Sequence, residues 1–246
     1  MRTYDQEIQA RVAFLQNALK DSGAAGFVYG NSGGKDSALV GILCRMACPN
    51  TVGLLMPCHA ARNYGMDMDD GREVAEQFGI ETRTVDLTAA RQSLVEAAGN
   101  ATSLTETALA NIAPRLRMAA LYAVAASENR LVVGTGNRSE AYMGYFTKWG
   151  DGAHDINPIA DLTVTDIYAL LHHLHAPEAI LNKAPSAGLF EGQTDEGEMG
   201  ITYAAIDKYL TTGEATPDEL KIIERFHARS EHKRRGVMVY TDEIIF

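Results

Sequence analysis

Apolar residues recur along the chain with two different periods. A spacing of three to four residues predicts an opening amphipathic helix over residues 4–21, with an apolar face made of Ile8, Val12, Leu15 and Leu19. Short apolar runs bounded by turn residues predict buried strands, over residues 26–29, 51–56, 82–85 and 131–134. Between these strands, helices are predicted over residues 38–44, 62–78, 87–98 and 107–129.

Strands and helices therefore alternate from residue 26 to residue 134. This order is typical of an α/β fold with a doubly wound parallel sheet, in which ligands bind beyond the carboxyl ends of the strands. After residue 134 the pattern changes. Polar stretches predict long loops over residues 145–161 and 183–199. Extra C-terminal helices are predicted over residues 165–174, 204–210 and 218–230.

Composition narrows the class of protein. The 246 residues suit a single domain, 1–246, and the formal charge of −10 disfavours general nucleic-acid binding, which depends on basic surface. Three cysteines do not predict a disulfide framework. The polar N-terminus lacks a signal core, and no stretch reaches the ~18 consecutive apolar residues that span a bilayer. We expect a cytoplasmic protein with no membrane and no nucleic-acid partner.

The stretch between the first strand and its helix, residues 30–37, reads Gly-Asn-Ser-Gly-Gly-Lys-Asp-Ser. Such a turn can hold phosphate, because backbone N–H groups and the positive end of the helix dipole converge there. The Walker A pattern is not met, since Tyr29 stands at its first glycine and Asp36 follows the lysine in place of Ser or Thr. A carboxylate beside phosphate requires a divalent cation, so we interpret Asp36 as a magnesium ligand.

A second polar stretch, residues 134–140, follows the fourth predicted strand and reads Gly-Thr-Gly-Asn-Arg-Ser-Glu. In a parallel sheet it emerges at the same edge as residues 30–37, so the two loops can share a ligand. Glu140 is then a candidate second carboxylate for the metal. Thr135 is a candidate nucleotide contact.

Six stretches together resemble the ammonia-dependent NAD synthetases, members of the N-type ATP pyrophosphatase superfamily. They are S-G-G-K-D-S at 32–37, N-I-A-P-R-L-R-M at 111–118, G-T-G-N-R-S-E at 134–140, G-Y-F-T-K-W-G-D-G at 144–152, G-Q-T-D-E at 192–196 and E-H-K-R-R at 231–235. Other ATP pyrophosphatases share the first stretch, whereas the fourth is more selective. The similarity runs in order from about residue 5 to 240.

The resemblance implies a Rossmann-like fold of the adenine nucleotide alpha hydrolase type. It also implies a ligase that adenylates the nicotinate carboxylate of deamido-NAD with ATP, releases pyrophosphate, and lets ammonia displace AMP to form NAD. Mg²⁺ is the implied cofactor. The implied assembly is a homodimer with the deamido-NAD site across the subunit interface. No glutaminase domain is recognisable, so free ammonia is the expected nitrogen donor.

The same resemblance implies residue roles, position by position. Asp36 and Glu140 would be catalytic and would hold Mg²⁺. ATP would contact the glycine-rich loop and three further positions, in all Gly30, Asn31, Ser32, Gly33, Gly34, Lys35, Asp36, Ser37, Thr135, Lys183 and Ser186. Deamido-NAD would contact Arg115, Lys148, Asp155, His232 and Lys233.

Two places depart from the family pattern. Some relatives carry a lysine for ATP phosphate shortly after the D-I-N-P stretch, where this chain has none over residues 162–165, so we assign that contact to Lys183 or Lys35. Residues 186–189 read S-A-G-L in place of the commoner S-A-D-L. Pro114 is compatible with the predicted helix if that helix begins close to it.

Two other functions remain open at this point. One is a different ATP pyrophosphatase, which amidates XMP or thiolates tRNA, although thiolation usually needs paired redox cysteines and a basic surface. The other is a nucleotide-binding regulatory module without turnover. The pair Asp36 and Glu140 argues against such a module, since a binder has little use for a metal that bridges the leaving pyrophosphate.

Overall fold

The computed structural model describes residues 2–59, 64–183 and 194–240. Its strands are β1 Gly26–Gly30, β2 Thr51–Leu55, β3 Glu81–Thr84 and β4 Arg130–Val133. They form a parallel sheet in the order β3-β2-β1-β4. Val133, the last residue of β4, forms an isolated parallel bridge with Ile156, which lies in a stretch that the sequence predicts as loop. The predicted parallel sheet is confirmed.

The helices of the described residues alternate with these strands and then continue without further strands. They are α1 Tyr4–Ser22, α2 Lys35–Ala47, α3 Met66–Phe78, α4 Thr88–Gly99, α5 Glu106–Glu128, α6 Arg138–Met143, α7 Val164–His173, α8 Glu178–Leu181, α9 Asp195–Met199, α10 Tyr203–Thr212, α11 Pro217–Arg229 and α12 Glu231–Arg234. Local signals set their ends: Thr3 forms a capping box at α1, and Gly79 ends α3 in the left-handed conformation. Among the described residues, no helix is long and apolar enough to cross a membrane.

The sheet is covered on both faces. Successive side chains of a strand point to opposite sides, so β1 contributes to two layers. Fully buried Phe27 and Tyr29 belong to one apolar cluster with α1, α2 and α7, whereas Val28 belongs to a second cluster with α5. The doubly wound arrangement is therefore confirmed.

The C-terminal helices form a third apolar cluster. Met143 of α6, Ile206 of α10 and Ile223 of α11 are all buried within it. The predicted extra helices are confirmed, although each differs from its predicted bounds by one or two residues. Because α6 also carries Glu140, this cluster anchors the second polar loop against the body of the protein.

The predicted helix 107–129 is confirmed as α5, Glu106–Glu128, but Pro114 lies inside it and not near its start. A proline inside a helix costs about 3 kcal/mol, but this 23-residue helix is capped by Thr105 and packs along the sheet, which outweighs that cost.

The loop predicted over residues 183–199 is wrong at its end, where Asp195–Met199 form helix α9, capped by the Thr194 side chain. Residues 184–193 lie outside the described part of the chain.

An ion pair joins α1 to the segment that follows β4. Buried Arg11 donates from Nη1 to Asp161 Oδ1 at 2.7 Å and from Nη2 to Asp161 Oδ2 at 2.9 Å, and it also donates to the Pro158 carbonyl. The hydrogen bonds from Arg11 hold the pKa of Asp161 below its usual range. This ion pair holds the segment between α6 and α7 against α1.

We expect Asp161→Asn to lower the free energy of unfolding by about 1 kcal/mol or less at pH 7, because solvent screens a carboxylate whose side chain is 73% exposed. A carboxyl group with a lowered folded pKa stabilises the fold above its unfolded pKa, near 4, and loses that effect as the pH falls through the folded value. Urea unfolding between pH 7 and pH 3 should show the two proteins converging in acid. A constant difference across that range would contradict the ion-pair explanation.

Candidate active site

A cavity of about 1070 Å³ opens at the carboxyl ends of β1, β2 and β4. Gly30, Leu55 and Val133, from the last positions of these strands, line its floor. Both polar loops identified in the sequence contribute to its walls. The cavity lies where a doubly wound sheet binds its ligands, and its size is at the upper end for small-molecule sites.

The glycine-rich loop, residues 30–37, is held in shape by its own side chains. Asn31 donates from Nδ2 to the Gly71 carbonyl at 2.9 Å and accepts from the Gly33 amide at 3.3 Å. Ser37 Oγ donates to the Gly34 carbonyl at 3.0 Å and accepts from the Ser32 amide at 3.3 Å. These internal hydrogen bonds fix the shape of the loop.

Helix α2 starts in this loop with no side chain on its first amides. Gly34 occupies the N-cap position and makes no side-chain cap bond, whereas Thr3, Asn137 and Thr216 cap helices α1, α6 and α11. The first amides of a helix and its dipole attract anions. This end of α2 faces the cavity and is suited to phosphate.

Asp36 and Glu140 are brought together by Asn137. The Asn137 side chain donates from Nδ2 to Asp36 Oδ1 at 2.9 Å and accepts from the Glu140 amide at 2.9 Å. The Glu140 carboxylate in turn accepts from the Asn137 amide at 3.1 Å, which completes a capping box. Fully buried Asn137 thus fixes both carboxylates relative to each other.

The two neighbouring carboxylates can attract a cation. Burial raises the pKa of Glu140 well above its usual value, and the neighbouring Asp36 carboxylate raises it further. In residues 2–59, 64–183 and 194–240, no three His, Cys, Asp or Glu side chains converge as a ready metal cage. Mg²⁺ does not need one, because it is usually held by one or two carboxylates together with phosphates and water. The two hard oxygen donors beside an anion site therefore fit Mg²⁺.

Lys183, predicted to contact ATP, joins two parts of the wall. Its Nζ donates to the Gly33 carbonyl at 2.8 Å, to Asp67 Oδ1 at 2.9 Å and to Asp70 Oδ2 at 2.5 Å. These bonds tie α3 to the glycine-rich loop. A phosphate contact from Lys183 would have to replace one of them. Of the other predicted ATP contacts, Thr135 lines the cavity and Ser186 lies outside the described residues.

Two of the predicted deamido-NAD contacts, His232 and Lys233, line the cavity. Lys233 Nζ donates to the Gly144 carbonyl at 2.7 Å and to the Phe146 carbonyl at 2.6 Å. Burial lowers the pKa of Lys233. Lys233 therefore holds the shape of the 144–152 loop as well as placing a positive charge at the cavity.

The other three predicted contacts lie away from the cavity wall. Arg115 is exposed and donates to the Lys148 carbonyl at 3.5 Å, and Lys148 donates to the His232 carbonyl at 2.6 Å. Asp155 accepts from Tyr122 at 3.1 Å and from the Val132 amide at 2.8 Å. The structure therefore separates the five positions into an inner pair and an outer group of three.

Arg117 is a cavity residue that sequence reasoning missed. It donates from Nε to the Met56 carbonyl at 3.1 Å and lies on the cavity face of α5 with Pro114 and Leu121. Arg115 is two residues away, which places it on another side of the helix. The helical spacing of 114, 117 and 121 could have identified Arg117, and the N-x-x-E pattern at 137–140 could have identified Asn137.

Comparison with known proteins identifies the family of this chain. The family model described as NAD synthase matches residues 7–237. The NH(3)-dependent NAD(+) synthetase of Carboxydothermus hydrogenoformans is 44% identical over 235 residues, which cover 94% of this chain and 96% of that protein.

Solved structures agree on the fold. The NMN synthetase of Francisella tularensis superposes with a TM-score of 0.93 at 38% identity, covering 98% of this chain and all of that one. The NH3-dependent NAD synthetase of Campylobacter jejuni gives a TM-score of 0.80 at 28% identity, with 98% of this chain and 100% of that one covered. The resemblance predicted from the motifs is confirmed, and the chain belongs to the NAD synthase family.

Proposed function

We propose that this protein is an ammonia-dependent NAD synthetase, a ligase that amidates deamido-NAD at the expense of ATP. The relative from Carboxydothermus, which is an NH(3)-dependent NAD(+) synthetase, supports the overall reaction. The observation in the structure that carries the proposal is a single cavity in which the uncapped end of α2 meets the carboxylates of Asp36 and Glu140. An anion site beside a metal-binding carboxylate pair suits ATP and its leaving pyrophosphate.

The reaction proceeds by adenylation. A carboxylate oxygen of the nicotinate group attacks the α-phosphorus of ATP, and the bond from that phosphorus to the pyrophosphate oxygen breaks. The nitrogen of ammonia then attacks the acyl carbon, the bond to AMP breaks, and the nitrogen loses a proton to solvent. Adenylation is needed because a free carboxylate would have to expel oxide, whereas AMP is a good leaving group.

The chain's own residues bind and orient the reactants. The amides at the start of α2, Lys35, Thr135 and Lys183 would contact ATP, and the family pattern suggests the same role for Ser186. Asp36 and Glu140 would hold Mg²⁺, which when bound would neutralise charge on the leaving pyrophosphate. Such a site needs no nucleophilic side chain, because positioning and charge neutralisation lower the barrier to phosphoryl and nucleotidyl transfer.

The decisive experiment follows one oxygen atom. Purified protein is supplied with ATP, Mg²⁺, ammonium and deamido-NAD that carries ¹⁸O in its carboxylate. Adenylation predicts NAD and AMP in equal amounts, with one ¹⁸O in each AMP and none in pyrophosphate. Label in pyrophosphate would contradict adenylation at the α-phosphorus, and absence of NAD would contradict the function. Replacing ammonium with glutamine should abolish product formation.

The active form is a homodimer in this proposal, with deamido-NAD bound across two copies. Arg115, Lys148 and Asp155 are not part of the cavity lining, and in this proposal they contribute to the site of a second copy. Helix α4 buries none of its residues within one copy, and Leu94 on it is 43% exposed. In this proposal α4 lies at the interface between the two copies.

Mixing two inactive variants tests this arrangement. Arg115→Ala and Asp36→Asn are each expected to be inactive. If each site uses Asp36 of one copy and Arg115 of the other, mixed dimers carry one intact site, and about a quarter of all sites recover. No recovery after subunit exchange, or a monomeric mass by light scattering, would contradict the shared site.

A second substrate is favoured by one observation. The Francisella protein, which superposes with a TM-score of 0.93, is an NMN synthetase. Nicotinate mononucleotide carries the same carboxylate as deamido-NAD but lacks the AMP half. Measuring kcat/KM with each substrate separates the two functions. A higher value for the mononucleotide would make NMN the main product and would leave the ATP chemistry unchanged.

A further inference from the structure

Lys35 is a buried lysine inside the glycine-rich loop. It is only 6% exposed, and it is the first residue of α2, directly before Asp36. Lysine is almost never fully buried unless it is paired with an opposite charge. Its partners therefore indicate its role.

The partners of Lys35 are the proposed metal ligands. Its Nζ lies 2.7 Å from Asp36 Oδ2, while the other oxygen of that carboxylate accepts from Asn137. The Nζ also lies 5.5 Å from the centre of the Tyr203 ring, a position that attracts cations. Burial opposes the charge on Lys35, but Asp36 and Glu140 more than compensate and raise its pKa above the usual value. The ammonium group is thus a cation that faces both carboxylates.

We propose that Lys35 is a built-in counter-ion of the carboxylate pair, which offsets part of the negative charge of Asp36 and Glu140 in the free enzyme and lowers their affinity for free divalent metal. This inference rests on the proposed function, in which the same carboxylates hold Mg²⁺. The metal then binds well only when ATP phosphates supply further negative charge and ligands. Lys35 thereby makes metal binding dependent on nucleotide.

The physical reason is competition between two cations at one carboxylate. A divalent ion at Asp36 and an ammonium group 2.7 Å from the same carboxylate repel each other, and burial weakens the screening of that repulsion. Without the ammonium group, two adjacent carboxylates lack a counter-charge, which destabilises the free protein but strengthens its attraction for metal. Removing the charge therefore moves stability and metal affinity in opposite directions, which loss of ordinary packing would not do.

Mn²⁺ binding in the absence of nucleotide tests this role. The loss of the free Mn²⁺ signal in electron paramagnetic resonance is measured for wild type, Lys35→Met, Lys35→Gln and Lys35→Arg. We expect the two neutral variants to bind Mn²⁺ at least about tenfold more tightly than wild type, and Lys35→Arg to remain close to wild type. Lys20→Met, which removes an exposed charge at the end of α1, is the matched control and should not change Mn²⁺ affinity.

Melting temperature gives a second readout. Without metal, the neutral variants should melt below wild type; Mn²⁺ should raise their melting temperature more than it raises that of wild type. Neutral variants that fold, by circular dichroism, but bind Mn²⁺ no more tightly than wild type would overturn the proposal. So would undetectable binding in all four proteins.

Asp36→Asn separates this proposal from the proposed function. If Asp36→Asn binds Mn²⁺ as well as wild type, the metal site itself is misplaced and both ideas fail. If Asp36→Asn loses Mn²⁺ while the neutral Lys35 variants match wild type, the metal site stands and the counter-ion role is wrong. The same measurements repeated with a non-hydrolysable ATP analogue should show a smaller difference between Lys35→Met and wild type, because the phosphates then dominate the charge at the site.

Discussion

Asp36→Asn and Glu140→Gln are each expected to reduce the rate of NAD formation by at least about a thousandfold, equivalent to about 4 kcal/mol of transition-state stabilisation. In the proposed mechanism, each variant removes one of the two negative charges that would hold Mg²⁺ beside the leaving pyrophosphate. The fold should survive. Gln at 140 can still accept from the Asn137 amide, and Asn at 36 can still accept from the Asn137 side chain.

Stability measurements distinguish this loss from simple unfolding. Burial and the Asp36 charge disfavour the ionised form of Glu140, so Glu140→Gln should melt at or above the wild-type temperature in the absence of metal. Asp218→Asn, which removes an exposed carboxylate from α11, should keep wild-type activity and serves as the control. Steady-state rates of NAD and AMP formation, with circular dichroism on each variant, check the prediction. Activity within tenfold of wild type in either variant would remove it from the metal site.

Gly33→Ala is expected to destabilise the protein by more than about 3 kcal/mol and to lower kcat/KM for ATP at least about a hundredfold. Gly33 has a φ of 68°, which L side chains rarely adopt. A Cβ atom there would also lie 2.0 Å from the Asp67 carbonyl oxygen. Lys183 binds both Gly33 and Asp67, so the two segments cannot separate without breaking that contact.

Gly213→Ala provides a matched control for the glycine. Gly213 has a φ of 78°, but a Cβ atom there would meet nothing within 4 Å. This variant should therefore lose only the roughly 1–2 kcal/mol that a left-handed residue costs. The free energy of unfolding in urea and the KM for ATP are measured for both variants. The difference between them reports the steric clash with the Asp67 carbonyl. Equal destabilisation of the two variants, with an unchanged KM for ATP in Gly33→Ala, would contradict this prediction. It would show that the loop backbone can shift to accommodate the added Cβ atom.

The sequence predicted elements better than it predicted contacts. The glycine-rich loop and the loop ending in Glu140 were both placed correctly, because each follows a buried strand of one parallel sheet. Asn137 was missed, although it contacts both carboxylates. The N-x-x-E pattern indicates its capping of Glu140, but its contact with Asp36 depends on the distance between two loops that lie 101 residues apart in the chain.

For charged residues as well, the sequence indicated positions in the chain better than contacts in the fold. Lys183 was predicted to contact ATP, whereas its bonds to the Gly33 carbonyl and to two carboxylates on α3 could be seen only once α3 was packed against the glycine-rich loop. On α5, the motif indicated Arg115, whereas the packed helix turns Arg117 to the cavity. Motif position alone does not say which side of a helix faces the sheet.

The family and the parallel sheet could be derived from the amino-acid sequence, because motif order, strand periodicity and a glycine-rich turn are local properties. The pairing of charges in the candidate site could be read only from the packed structure. Packing brings the carboxylates of Asp36 and Glu140 into contact with Asn137. It also pairs Lys183 with two carboxylates of α3 and buries Lys35 against Asp36. Buried charges can pair only when segments that are remote in sequence lie close together. That closeness arises only when the helices have packed on the sheet.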